Sequence, residues 1–154
     1  MPRKNAAKFS FSSKSGDFIG QGLSRSYDLN DSKIVVCDVG HVNRARTNAV
    51  RFTVERDSEN WNIEFAAPKG MRLRVGEYLY ATRFPFNADE SPGLNMSGCG
   101  RGSSNSYGRF SVDLVRFNKA GELVLFKASF VQHSETMTAP PLEGNLYYCK
   151  LRQK

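Results

Sequence analysis

A chain of 154 residues that is 40% hydrophobic and 12% aromatic is sized for one domain with a substantial core and is too rich in aromatic and β-branched residues for a disordered chain. No run reaches the ~18 apolar residues of a membrane-spanning helix, and the basic start from Met1 to Ser13 lacks the apolar stretch of a secretion signal, so the sequence as it stands reads as soluble and cytoplasmic. The net charge of +7 sits at the ends. Arg3, Lys4 and Lys8, with Lys150, Arg152 and Lys154, carry six of the 22 cations and leave 16 against 15 acids, whereas a nucleic-acid-binding fold concentrates charge on its folded surface.

In chain order, residues 1–8 read as a disordered basic tail and 9–151 as a single β domain. Phe9 and Phe11 alternate with serines, and Leu23, Tyr27 and Leu29 share one face before a turn at Asn30-Asp31. The β-branched run from Lys33 to Val39 predicts a strand buried on both faces. After a polar loop from His41 to Asn48, Val50, Phe52 and Val54 alternate with Arg51, Thr53 and Glu55. Asp57–Asn60 turns the chain, and Trp61, Ile63 and Phe65 return as the second arm of a hairpin.

Pro68-Lys69-Gly70 marks the next turn. Tyr78–Phe84 is a strand that must stop or lie at an edge, because Pro85 has no N–H for a ladder. A polar loop precedes a short strand at Leu94–Ser97. Gly98–Gly108 is irregular and carries four glycines. Phe110, Val112 and Leu114 form the cleanest alternation. Asn118–Gly121 turns into a strand from Leu123 to Gln132, and a loop from His133 to Pro141 leads to a last strand from Leu142 to Leu151. Nine or ten strands without a helix predict an all-β fold, with an antiparallel two-sheet sandwich first and a jelly roll or barrel as alternatives.

The glycine cluster makes Pro92–Gly108 the first candidate site, since backbone amides there can face an anion. Arg101 would add a bidentate guanidinium, with Asn105 beside it. The loop is not a dinucleotide fingerprint, because a strand and not a helix follows. The competing reading is that the glycines serve tight turns and Arg101 pairs with an internal acid. His133, after a strand, is the second candidate, as a general base or pH-sensitive ligand, against a purely structural role. Arg83 is the third, expected either to reach a ligand or to pair internally with Asp17 or Glu64. Trp61, Tyr78, Tyr80, Tyr147 and Tyr148 offer a stacking platform for sugars or bases, or belong to the core and sheet faces. Two histidines and three scattered cysteines (Cys37, Cys99, Cys149) match no metal-ligand spacing, so no metal or cofactor is expected.

Three function classes follow. The first is a binding module that uses the Gly-rich loop for a small polar or anionic ligand or a protein partner. The second is nucleic-acid or acidic-surface binding through the tails and an arginine stripe of Arg44, Arg46, Arg51 and Arg56. The third is an enzyme centred on His133.

Several motifs occur together: Phe18-Ile19-Gly20-Gln21-Gly22, Ala81-Thr82-Arg83-Phe84-Pro85-Phe86, Pro92-Gly93-Leu94 leading to Gly100-Arg101-Gly102, Asn105, Gly108-Arg109-Phe110 and Gln132-His133. Across residues 9–150 this pattern resembles a group of small bacterial proteins, many of them exported or lipid-anchored. The resemblance implies a shared β fold and no particular activity. It further implies cysteines where Ser103 and Ser134 stand here. A bridge between those positions would tie the Gly-rich loop to the loop after His133, with Cα atoms within about 7 Å. Their joint replacement by serine suits a reducing compartment.

Overall fold

The computed structural model describes residues 5–37 and 46–150. They form ten strands: β1 (Ala6–Ser13), β2 (Ser24–Asp28), β3 (Lys33–Cys37), β4 (Ala49–Arg56), β5 (Glu59–Ala66), β6 (Gly76–Arg83), β7 (Gly93–Gly98), β8 (Ser106–Phe117), β9 (Leu123–Ser134) and β10 (Pro141–Cys149). No helix occurs among the described residues, so none is long and apolar enough to cross a membrane. The strands make one sheet in the order β2-β1-β10-β9-β8-β6-β7-β5-β4-β3, curled nearly closed. The all-β expectation holds. The sheet is continuous, which fits the barrel alternative; two separate sheets are not seen.

The curl follows from where the aromatic rings go. Period-two alternation sends Phe9, Phe52, Phe65, Phe110, Phe126 and Phe130 to one face, where all are buried. Phe65 lies 5.2–5.6 Å from Phe110, Phe126 and Phe130, and Phe9 stacks on Phe130 at 6.4 Å. Rings from opposite walls meet, so the interior is packed and not hollow. Bulges in β8 against β9, at Val112/Leu114 and Arg116/Phe117, bend these two long strands around the core. Gly108 and Gly144 permit the closest approaches. A Cβ on Gly108 would run into the Val131 carbonyl, and one on Gly144 would strike the Phe130 ring.

Closure along the β6–β7 junction is partial, because β7 pairs with β6 only at Thr82↔Gly93 and Arg83↔Leu94, in parallel. Beyond that point the Gln132 carboxamide of β9 reaches across the interior. Its Oε1 accepts from Met96 N at 2.8 Å and its Nε2 donates to Met96 O at 3.0 Å. The other seam joins β2 to the β4–β5 hairpin. Trp61 Nε1 donates to Tyr27 Oη (2.9 Å), which donates to Glu59 Oε1 (2.9 Å). Arg25 and Arg56 pair with the same carboxylate, and Arg56 also donates to the Ser26 carbonyl of the free β2 edge at 3.0 Å.

Two local expectations need correction. Residues 6–8 belong to β1 and not to a tail. β3 is an edge strand with one buried face: Ile34 is buried while Val35 is 36% exposed. Its apolar run therefore marks strand propensity and not two-sided burial. Asp38 and Val39, expected to extend it, lie outside the described residues. The Tyr78–Phe84 strand does stop before Pro85, at Arg83.

Candidate functional site

The rim bearing the Gly-rich loop is knit by its own polar groups. Gly98 and Arg101 form a tight turn, in which Cys99 and Gly100 adopt φ of 51° and 77°, the left-handed region that suits glycine. Among the described residues Arg101 does not pair with an acid. Its Nε donates to the Ile19 carbonyl at 2.8 Å, its guanidinium lies 5.8 Å from the Trp61 ring, and it clamps this loop to the β1–β2 turn. Across the rim, Glu135 Oε1 accepts from Ser103 Oγ (2.9 Å) and Ser104 N (2.7 Å), while its amide donates to the Asn105 carbonyl (2.8 Å). The Gly-rich loop and the loop after His133 are thus joined, at the residue following Ser134.

Arg83 enters the same network by donating to the Ser104 carbonyl (3.1 Å), and it stacks 4.8 Å over Phe86. Its expected acid partners are occupied elsewhere. Asp17 accepts from Ser13 Oγ (2.7 Å) and Gly20 N (2.9 Å), and Glu64 accepts from Arg51 (2.8 Å) and Asn95 (3.1 Å). His133 is held in its own hairpin, with Nδ1 2.6 Å from the Ala139 carbonyl. A carbonyl partner makes Nδ1 the protonated nitrogen and supplies neither the orienting carboxylate nor the nucleophile of a catalytic set. Arg83, Asn105 and His133 therefore sit on one rim, while Arg101 reaches away from them.

The arginine stripe is largely neutralised. Arg51 pairs with Glu64 at 2.8 Å, and Arg56 pairs with Asp31 and Glu59 at 3.3 Å each. Arg46 donates to the Ala120 carbonyl, and Arg44 and His41 lie outside the described residues. Among the described residues no group of three or more His, Cys, Asp or Glu side chains converges as metal ligands would.

The outer face of the β1–β10–β9–β8 wall is different. Strand register sets side chains that point outward into rows across neighbouring strands. One row runs Ser26–Ser10–Asn145–Ser129–Ser111. The next runs Asp28–Lys8–Tyr147–Lys127. Short side chains beside long ones leave a trough of about 250 Å³, lined among others by Lys8, Ser10, Asp113, Lys127, Asn145 and Tyr147. Neither lysine belongs to an ion pair within the described residues. Burial pushes the Tyr147 phenol up, aided by the adjacent Cys149, so it is neutral and able to donate near pH 7.

Of the five aromatics that could form a platform, Trp61 is core. Tyr78 stacks inward on Phe110 at 4.6 Å and Tyr148 packs on Phe52 at 5.8 Å. Tyr147 stands in the trough. Tyr80, 82% exposed, occupies the β6 bulge. The sequence signal for the trough lies in Lys8-Phe9-Ser10 and Lys127-Ala128-Ser129, where polar residues flank an inward apolar one. In sequence alone Lys8 reads as part of a tail, and the cross-strand register that aligns these segments is not written in either of them.

The molecule is thus a small, filled, nearly closed ten-stranded β-barrel with a polar trough on its outer wall. No protein-family model, curated protein or solved structure matches the chain, so the resemblance drawn from the motifs gains no further support from such comparison.

Proposed function

We propose that the protein is a binding module without catalytic chemistry of its own, and that its polar ligand lies in the outer-wall trough. The observation that carries this reading is the Lys8–Tyr147–Lys127 row beside Ser10 and Asn145: two cations without ion partners among the described residues, an aromatic ring and hydrogen-bonding groups around one depression. Binding sites commonly combine an apolar surface with a few placed polar groups. The rim arginines that stand out in the sequence bond backbone carbonyls within the fold, Arg101 to Ile19 and Arg83 to Ser104, and Glu135 is held by Ser103 and Ser104. That favours the wall over the Gly-rich loop.

The test is an amide NMR titration with sugars, nucleotides and oligonucleotides, on the native chain and on a Lys8→Glu/Lys127→Glu variant. Shift changes confined to residues 8–10, 127–129 and 145–147, and abolished in the variant, support the reading. Changes confined to the rim, residues 98–105 and 133–139, restore the loop as the site and reject the trough.

A further inference from the structure

The trough is one part of a longer pattern. Five adjacent strands each contribute one short hydrogen-bonding side chain to the same row: Ser26, Ser10, Asn145, Ser129 and Ser111. All five are exposed or half-buried on the outer face. Neighbouring strands stand about 4.8 Å apart, a step comparable to the rise of one sugar along an extended polysaccharide. The row spans roughly 19 Å, four such steps. A ligand that repeats at this step meets the same class of partner at every strand.

Charge and aromatic content narrow the ligand class. Lys8 and Lys127 lie two strands apart, on either side of Tyr147, so they meet acidic groups on alternate units while the ring takes an apolar sugar face. Asp113 also lines the trough, and Glu143 stands exposed in the row beyond, opposite Ser12 and Val131. These carboxylates, with Asp28 opposite Lys8, accept hydrogen bonds from sugar hydroxyls. Single-stranded nucleic acid is held by successive aromatic platforms in a positive groove. Among the described residues, Tyr147 is the one aromatic side chain in the trough lining, too few for a series of stacked bases.

Resting on the trough as the binding site, we infer that its ligand is a linear acidic polysaccharide lying across the strands, about one sugar per strand. Oligogalacturonates of one to six units, with oligothymidylate and neutral cello-oligosaccharides as comparisons, test this by calorimetry and amide NMR. Affinity should rise with length up to about five units, matching the five strands of the row, and the shift changes should extend from Ser26 to Ser111. Lys127→Glu should weaken the pentamer roughly tenfold or more, the loss of one charge-assisted contact. Ser129→Leu, which fills the row at a half-buried outward position, should block long oligomers.

A monomer that binds as tightly as the pentamer, with shifts only around Tyr147, overturns the polymer inference and leaves the trough as the site. Oligothymidylate that binds the row more tightly than any glycan overturns the ligand class. Cello-oligosaccharides that match the galacturonates remove the requirement for acid groups and overturn it too. No shift at the trough with any probe defeats both this inference and the reading beneath it.

Discussion

Gln132 and Met96 form a two-point backbone mimic inside the barrel: the carboxamide of one takes the N–H and gives to the C=O of the other, at 2.8 and 3.0 Å. β7 has β5 along one edge through six consecutive residue pairs, but β6 leaves its other edge after Leu94. A buried peptide group without partners is costly, and Gln132, fully buried, replaces the missing strand at that point. Gln132→Leu keeps the volume and leaves both groups of Met96 unpaired. Unfolding free energy should fall by about 2–5 kcal/mol, two unsatisfied buried groups. Urea denaturation followed by Trp61 fluorescence measures it, and an unchanged midpoint would show that β7 is satisfied by other means.

The Tyr27–Glu59 seam gives stability two pH limits. Burial is the largest influence on Glu59 and pushes its carboxyl up, but hydrogen bonds from Tyr27, Arg25 and Arg56 outweigh it and hold the group below the usual carboxylate range. A carboxyl lowered in the fold stabilises above its unfolded value, and that contribution is lost as pH falls through the folded one. Tyr27 is raised to about 12, mainly by burial. Its contribution is whole below the ordinary phenol value of 10.0 and fades as pH climbs from there toward about 12. Thermal melts across pH should show the alkaline decline of native protein reduced in Tyr27→Phe and the acid decline reduced in Glu59→Gln. At pH 7, Tyr27→Phe should also cost about 1–3 kcal/mol, because Trp61 Nε1 loses its buried acceptor. Parallel pH profiles for native and variant chains would remove the seam as the cause.

How far the sequence reveals this molecule depends on whether each signal is local. The hairpin of Val50, Phe52 and Val54 against Trp61, Ile63 and Phe65 is legible because alternation fixes the inward face, and the structure pairs Val54 with Trp61 and Phe52 with Ile63. The parallel contact of β6 with β7 is not, since nothing in either segment says that the chain folds back through residues 84–92 to lie beside itself. The choice between sandwich and barrel is hidden for the same reason: both need one inward face per strand, and only the pairing of all ten strands into one continuous sheet tells them apart. At the rim, His133 and Arg83 stand out as isolated charged or titratable residues, yet the group that organises their surroundings is Glu135, an exposed acid in a polar loop with nothing unusual about its neighbours. The outer row needs three strands in register before Ser10 and Ser129 become neighbours of one residue, Asn145, and five before it is complete.

Arg101 separates a ligand-binding role from an architectural one. Its bond to the Ile19 carbonyl at 2.8 Å and its position 5.8 Å from the Trp61 ring join loops that are distant in sequence. Arg101→Met keeps the stem and removes the donors. Stability should drop by about 1–2 kcal/mol, the loss of a hydrogen bond made by a charged group, with faster hydrogen exchange in residues 18–22. Affinity for any ligand of the outer wall should be unchanged. A variant of native stability that fails to bind would return Arg101 to the binding site.

Gly108 tests whether the curl at β8 and β9 depends on one missing methyl. It pairs with Gln132 on β9 and Ala81 on β6, and a Cβ built there would overlap the carbonyl oxygen of Val131. That obstacle is backbone and cannot swing aside as a side-chain tip would. It lies one residue from the Gln132 bridge to Met96, so a shift of β9 to admit the methyl would also strain that bridge. Gly108→Ala should therefore destabilise by about 1–3 kcal/mol from overpacking alone, with a further loss where the Gln132 bonds loosen. Combining Gly108→Ala with Gln132→Leu resolves the two parts. If the methyl acts partly through the bridge, the double variant loses less than the two single losses added together, because sites that share a backbone shift are not additive. Full additivity would confine the effect of the methyl to local overlap at Val131.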